Sequence, residues 1–124
     1  MKLKIKRSSV LKNRAQEDEG AFSEYDLFSS ENYFIKPHEL RQIKTGVFLE
    51  IPKGVCVKLF FEHDPLTNKR KIFSLPKIIK SGPMREVEVS VFNFGDRGFS
   101  IMEGDKVSYF VVEKFLPIEW EEIE

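Results

Sequence analysis

The chain has 124 residues, of which 41% are hydrophobic, and its 20 basic and 20 acidic side chains cancel to a formal net charge of +0. That length suits one domain spanning residues 1–124 that buries about two thirds of the surface its unfolded chain exposes. The charge balance favours neither nucleic acid nor an anionic membrane as partner, and no apolar run approaches the roughly 18 residues that cross a bilayer.

Leu3 and Ile5 alternate with Lys2, Lys4 and Lys6, which predicts a short amphipathic strand whose lysines guard a sheet edge against aggregation. The N-terminus carries charge but no apolar core of an export signal. The chain opens basic (Lys2 to Arg14) and closes acidic (Glu119, Glu121, Glu122, Glu124), so the two ends either attract each other, within or between subunits, or stay solvated. Residues 13–20 are polar and read as a loop, and residues 21–32 fit no single pattern. Residues 32–35 read as a strand ended by Pro37, with a turn through His38 and Glu39. Residues 42–51 read as a strand. Pro52-Lys53-Gly54 predicts a type II turn with proline at i+1, leading into a return strand over 55–61.

Cys56 is the only cysteine and lies in this apolar strand. It excludes an intrachain disulfide, reads as a buried inert thiol, and fits a reducing intracellular compartment, cytoplasmic or nuclear. Residues 62–71, EHDPLTNKRK, are most simply a solvated loop. Lys69-Arg70-Lys71 is a weak signal for phosphate or nucleic acid in a neutral protein. Short apolar runs flank Pro76, and Ser81-Gly82-Pro83 reads as a turn.

Val87, Val89 and Val91 then alternate with Glu86, Glu88 and Ser90, the period of a strand with one buried and one wet face. Turn formers fill 93–98, Phe99 and Ile101 resume the apolar pattern, and Gly104-Asp105 turns again. Residues 107–112 are apolar on both faces and predict a strand covered on both sides. Eight or nine short strands with no helical periodicity indicate an all-β sandwich or barrel. Twelve phenylalanines are more aromatic surface than a monomer of this size easily hides, so an oligomer is expected.

With these residues in view, the chain resembles the trimeric deoxyuridine triphosphatase (dUTPase) family over nearly its whole length. Met1 to Lys6 is similar to the family's first strand, and Tyr25-Asp26-Leu27 with Ser29 to its first motif. Thr45-Gly46 and Pro52-Lys53-Gly54 resemble its central hairpin. Glu86 to Val89, Asn93, Phe99, Ile101, Gly104 to Val107 and Glu113-Lys114 follow its last strands without a gap. The resemblance implies a distorted β-barrel or jelly roll of the β-clip kind and a homotrimer with sites at subunit contacts.

It also implies a chemistry: hydrolysis of dUTP with a carboxylate base, a donor-rich phosphate turn, a metal ion and a glycine-rich arm. Asp26 matches the first motif's metal-linked aspartate. The second motif, Arg-Ser-Gly, falls on Glu62-His63-Asp64, where two carboxylates repel a triphosphate. The third, Gly-Val-Ile-Asp-x-Asp-Tyr-Arg-Gly, counts back from Glu86 onto residues 77–85. Lys80 thus takes the place of the catalytic aspartate, and Pro83 that of the aromatic residue beneath the sugar. A lysine protonated at neutral pH takes no proton from water. Tyr109 stands at the fourth motif's glutamine, no glycine-rich arm follows the acidic tail, and His38 sits where the family often has glycine.

No residue is therefore assigned a catalytic role. The candidate nucleotide-binding residues are Glu62, His63, Asp64, Lys77 and Lys80, and the candidate metal ligand is Asp26. No cofactor is expected unless the chain is an enzyme, in which case Mg²⁺ is implied. The reading that follows is a non-catalytic interaction or regulatory protein with a protein partner, possessing neither nucleic-acid nor membrane affinity, and of the kind some viruses use. Its alternatives are a dUTP diphosphatase or related nucleotide hydrolase with a site rebuilt around Asp26, Glu62, His63 and Asp64, and a nucleotide sensor or sequestering protein that uses Lys77 and Lys80 as anion contacts.

Overall fold

A computed structural model describes residues 2–7, 12–13, 24–61 and 71–124. It is all-β: β1 (Lys4–Arg7), β2 (Lys12–Asn13), β3 (Glu24–Phe28), β4 (Tyr33–Ile35), β5 (Leu40–Ile51), β6 (Val55–Phe60), β7 (Ile72–Ser74), β8 (Lys77–Ile79), β9 (Gly82–Asn93), β10 (Phe99–Ile101) and β11 (Lys106–Lys114). Two sheets in the orders β1-β5-β9-β7 and β2-β3-β11-β6-β8, with the small pair β10-β4, enclose the core, and every pairing is antiparallel. This is the jelly-roll barrel that the resemblance implies, within the all-β sandwich or barrel class that the turn-punctuated strands predict. No helix among the described residues is long and apolar enough to cross a membrane.

The core is aliphatic and comes from both sheets: Ile43, Val47 and Val89 from one, Leu27, Val57 and Leu59 from the other, all 0–1% exposed. Alternation alone selects these residues, because successive side chains on a strand point to opposite faces. Cys56 is buried as well, on the opposite face of β6 from Val57 and Leu59.

The ladder β5–β9 carries one irregularity that shapes the barrel. Lys44 pairs with Glu88 but Phe48 pairs with Glu86, so β5 accommodates two extra residues at Thr45-Gly46. An even insertion bends the strand yet preserves the period of two, and Val47, Leu49 and Ile51 stay on the core face, where a one-residue slip would expel them. Gly46 takes φ 69, and its N–H donates to Glu86 Oε2 at 3.0 Å. Thr45, fully buried, donates its hydroxyl to the Val87 carbonyl at 2.6 Å and accepts from the Val47 N–H at 3.3 Å. The bulge thus keeps the Gly46 and Val47 N–H groups and the Val87 carbonyl bonded.

Several details differ from the sequence pattern. The described residues hold eleven strands rather than eight or nine, because β2 and β8 are too short to leave a periodic trace. The ambiguous stretch 21–32 contains β3. In the β5–β6 turn Val55 N–H donates to the Pro52 carbonyl at 3.3 Å, so Pro52 stands at i, not i+1, while Gly54 at i+2 keeps the left-handed φ of 83 that a type II turn needs. Gly82 and Pro83 belong to β9 rather than to a turn, since Gly82 pairs with Ile51 at the sheet's end and an end position tolerates proline. In β11, Val107, Ser108 and Phe110 are buried whereas Val111 and Val112 are only half-buried. β1 lies at a sheet edge as its lysines predict, but Ile5 is 43% exposed. The polar segment at 13–20, apart from Asn13, and residues 62–70 lie outside the described residues.

Thr45→Val keeps the volume at the bulge and removes both hydroxyl bonds, leaving the Val87 carbonyl and Val47 N–H to find other partners in the core. We expect a loss of about 2 kcal/mol of unfolding free energy, measured by urea denaturation, at an unchanged m-value.

Candidate functional site

Asp26 sits at the middle of β3, opposite Tyr109 of β11. Paired residues share a sheet face, so Asp26, Tyr109 and, across the next ladder, Phe60 lie together on the outer face of the five-stranded sheet. The Tyr109 and Phe60 rings stack with centroids 5.5 Å apart. The β3–β11 register shifts between Lys106 and Ser108, and the irregularity brings the Lys106 ammonium to 3.4 Å from Asp26 Oδ1, whose side chain is only 13% exposed. On the same face Lys58 and Glu113 pair at 2.8 Å, and the hydrogen bond that Lys58 donates to the Glu113 carboxylate raises the Lys58 ammonium above the usual lysine range.

Lys77 opens β8 and Lys80 follows it, both exposed. β8 is the last strand of one sheet and β9 begins in the other, so residues 80–82 carry the chain between the two layers. Arg85 fixes this crossing: its guanidinium donates to the Lys80 carbonyl and lies where a Cβ on Gly82 would fall. Ile78 and Met84 beside it are 59% and 40% exposed. The segment therefore presents two ammonium groups and apolar side chains to solvent on a backbone held by one arginine.

Within one chain these two regions stay apart. Lys77 pairs with Leu59, Leu59 with Phe110 and Phe110 with Tyr25, so three strand spacings, on the order of 14 Å, separate Lys77 from the neighbour of Asp26. Lys77 also shares the row of the inward residues Leu59 and Phe110, whereas Asp26 faces out. Glu62, His63 and Asp64 lie outside the described residues. Among the described residues no group of three His, Cys, Asp or Glu side chains is placed to hold a metal ion. A single carboxylate already facing an ammonium does not by itself fit a resident magnesium.

The partner of Asp26 is the residue the sequence pattern passes over. Lys106 reads as part of the Gly104-Asp105 turn, and the signal that could have revealed it is the strand register, which the local irregularity conceals. That turn is itself well anchored: Gly104 has φ 92, its N–H donates to the Ser29 carbonyl, and the Ser29 N–H donates to the Asp105 carbonyl, both at 2.8 Å. The first and fourth regions of the chain are thereby tied together beside Asp26.

Comparison with known proteins agrees with this fold. The dUTPase family model matches residues 9–124. The mitochondrial deoxyuridine 5'-triphosphate nucleotidohydrolase of Homo sapiens is 30% identical over 100 residues, 81% of this chain and 39% of that protein. The enzyme of Mus musculus is equally identical over 61% of its length, so the chain spans less than two thirds of these relatives. The enzyme of Clostridium kluyveri is 29% identical over 94% of this chain and 78% of its own. Among solved structures, a point-mutant dUTPase from phage phi11 of S. aureus, described with a structural Mg(II) ion, superposes with a TM-score of 0.79 at 19% identity, covering 100% of this chain and 97% of the other. The dUTPase of Staphylococcus bacteriophage 80alpha, of a group described as controlling transfer of virulence genes, gives 0.78 at 19% identity over 99% and 96%.

Lys106→Met removes the ammonium that faces the mostly buried Asp26 carboxylate. We expect a loss of about 1–2 kcal/mol, discounted from a fully buried pair because Lys106 is partly solvated. Adding Asp26→Asn in the double variant should recover a large part of it, as read by urea unfolding of all three variants.

Proposed function

The chain belongs to the dUTPase family, and from that premise we propose that it works as a non-catalytic interaction or regulatory protein built on the family's fold. The observation that carries the reading is Lys80, an exposed ammonium at the position the resemblance gives to the catalytic aspartate. An ammonium has no lone pair with which to take a proton from water, and loss of a general base typically costs about 10²–10⁴-fold in rate. Asp26, the remaining acidic candidate among the described residues, is engaged by Lys106 and faces away from the row of Lys77. The phage 80alpha dUTPase, linked to control of gene transfer, supports a regulatory use of this fold.

A homotrimer is part of the proposal. Residues 115–124 leave β11 without strand structure, anchored where Phe115 N–H donates to the Gly54 carbonyl at 2.8 Å. Leu116, Ile118, Trp120 and Ile123 are 71–88% exposed, an apolar load that a second copy would cover. Ile118 and Trp120 alternate with Glu119 and Glu121, complementing the lysine-rich β1 edge, where Leu3 and Ile5 alternate with Lys2, Lys4 and Lys6. The acidic tail of one copy against the basic edge of another satisfies both patterns by strand addition.

A second reading rests on Lys77 and Lys80 together: two exposed ammonium groups on a fixed backbone are competent phosphate contacts, so a nucleotide is held without being cleaved. Magnesium enters only if hydrolysis occurs, at a site rebuilt around Asp26, Glu62, His63 and Asp64.

Incubation with dUTP and Mg²⁺ at high protein concentration should release no pyrophosphate above a buffer control; release that scales with protein would sink the non-catalytic reading. Calorimetric titration with dUTP under the same conditions separates the nucleotide-holding protein, which gives saturable heat, from a purely protein-binding one.

Light scattering should give the mass of three 14.5 kDa chains, and truncation after Lys114 should shift it toward the single chain. A truncated protein that keeps the full mass would remove the tail from the assembly.

A further inference from the structure

A cavity of about 820 Å³ opens at the end of the barrel away from the 77–85 segment's crossing, between the β4–β5 turn, Lys71 and the β9–β10 loop. Among the described residues its walls include His38, Lys71 and Arg97, one carboxylate, Asp96, and the rings of Phe94 and Phe99. The volume lies within the range of small-molecule sites. Three groups able to carry positive charge against one negative group set its preference for an anion.

Two of these basic residues stand on strained backbone. His38 at φ 61 and Lys71 at φ 57 are the two non-glycine residues with positive φ among the described residues, and both line this cavity. Side chains with a Cβ pay for that conformation, which glycine adopts freely. A purely structural turn is served best by glycine or asparagine at both places. Strained residues that persist at one cavity, both with basic side chains, mark side chains that are put to use.

The surrounding backbone is fixed by a fully buried residue, Asn93. Its Nδ2 donates to the carbonyls of Ile35 at 3.1 Å and Arg97 at 2.8 Å, and its Oδ1 accepts from the Gly95 N–H at 2.9 Å. His38 N–H donates to the Asn93 carbonyl at 2.7 Å, and Phe94 N–H to the Lys71 carbonyl at 2.8 Å. Phe94 is wedged edge-on against Phe92 and Phe73, with centroids at 4.4 and 5.2 Å, yet half of it remains exposed. The cavity walls are thus set in place before any ligand arrives, which lowers the cost of binding.

We propose that this cavity is a binding site for a small aromatic anion, a phosphate or carboxylate carried on a flat ring. The head group lies among His38, Lys71 and Arg97, and the ring rests on Phe94 and Phe99, where aromatic surfaces stack. The site is separate from the Lys77–Lys80 region and independent of whether that region holds a nucleotide.

Titration of the full chain with phenyl phosphate, benzoate and inorganic phosphate tests it, followed by calorimetry and by amide shifts in ¹⁵N NMR spectra. The aromatic anions should bind saturably and at least tenfold more tightly than inorganic phosphate, with shifts centred on Gly95, Gly98 and Ser100. Lys71→Gly and His38→Gly should each weaken binding about tenfold while leaving the melting temperature equal to or above that of the parent, because glycine relieves the backbone. Arg97→Ala, on unstrained backbone, should weaken binding without a gain in melting temperature. Absence of saturable binding by either aromatic anion, shifts confined to residues 77–85, or parental affinity in Lys71→Gly and Arg97→Ala would overturn the assignment.

Discussion

The pairing of β5 with β9 is the constraint on which the other parts of the barrel depend. β5 also carries β1 and β9 also carries β7, so the whole four-stranded sheet hangs on this ladder. The ladder tolerates a two-residue bulge because Thr45 supplies from its side chain the bonds that the broken register withdraws. A hydroxyl in a dry core is costly without partners and stabilising with them, which makes this position far more demanding than its small side chain suggests. At the exit of β9 Asn93 does the equivalent work for two loops, with both its donor and its acceptor capacity engaged. Two buried polar side chains, one bonded to β9 and one belonging to it, thereby fix the strand's bend and its exit.

Much of this frame is legible in the sequence. Val87, Val89 and Val91 announce β9 and its buried face, and the lysines of β1 announce an edge. Gly54 and Gly104 stand where left-handed backbone is required. What is not legible is register. Nothing local in Thr45-Gly46 says that two residues are inserted, and nothing local in Lys106 says that it reaches Asp26 across the irregularity in β11. Glu24 to Phe28 mixes charged, aromatic and aliphatic residues too briefly to show a period, and its pairing with β11 and β2 makes it a strand. The positive φ of Lys71 is likewise invisible, because lysine is among the residues least suited to it.

The candidate site is readable as positions but not as an arrangement. Counting back from Glu86 places Lys77 and Lys80 on one segment, and the structure keeps them there, exposed. Counting says nothing of the three strand spacings between that segment and the β3 row, nor that Asp26 and Lys77 belong to opposite faces of the sheet. A ligand touching both within one chain would have to pass around the sheet edge. A second copy contributing one of the two regions removes that difficulty, and for this reason the quaternary arrangement and the function have to be argued together.

The distribution of burial separates positions that answer to folding from positions that do not. Thr45, Asn93, Gly54 and Gly104 answer to backbone bonds or to φ, and replacing any of them disturbs the barrel. Lys77 and Lys80 answer to solvent; side chains in that setting change stability by about 0.5 kcal/mol or less when substituted. Arg85 is the exception within the segment, since it holds the crossing through the Lys80 carbonyl, a backbone group that any residue at position 80 would offer. The fold therefore preserves the path of this segment while placing almost no demand on the side chain at position 80, so the identity of that side chain reports on function and not on folding.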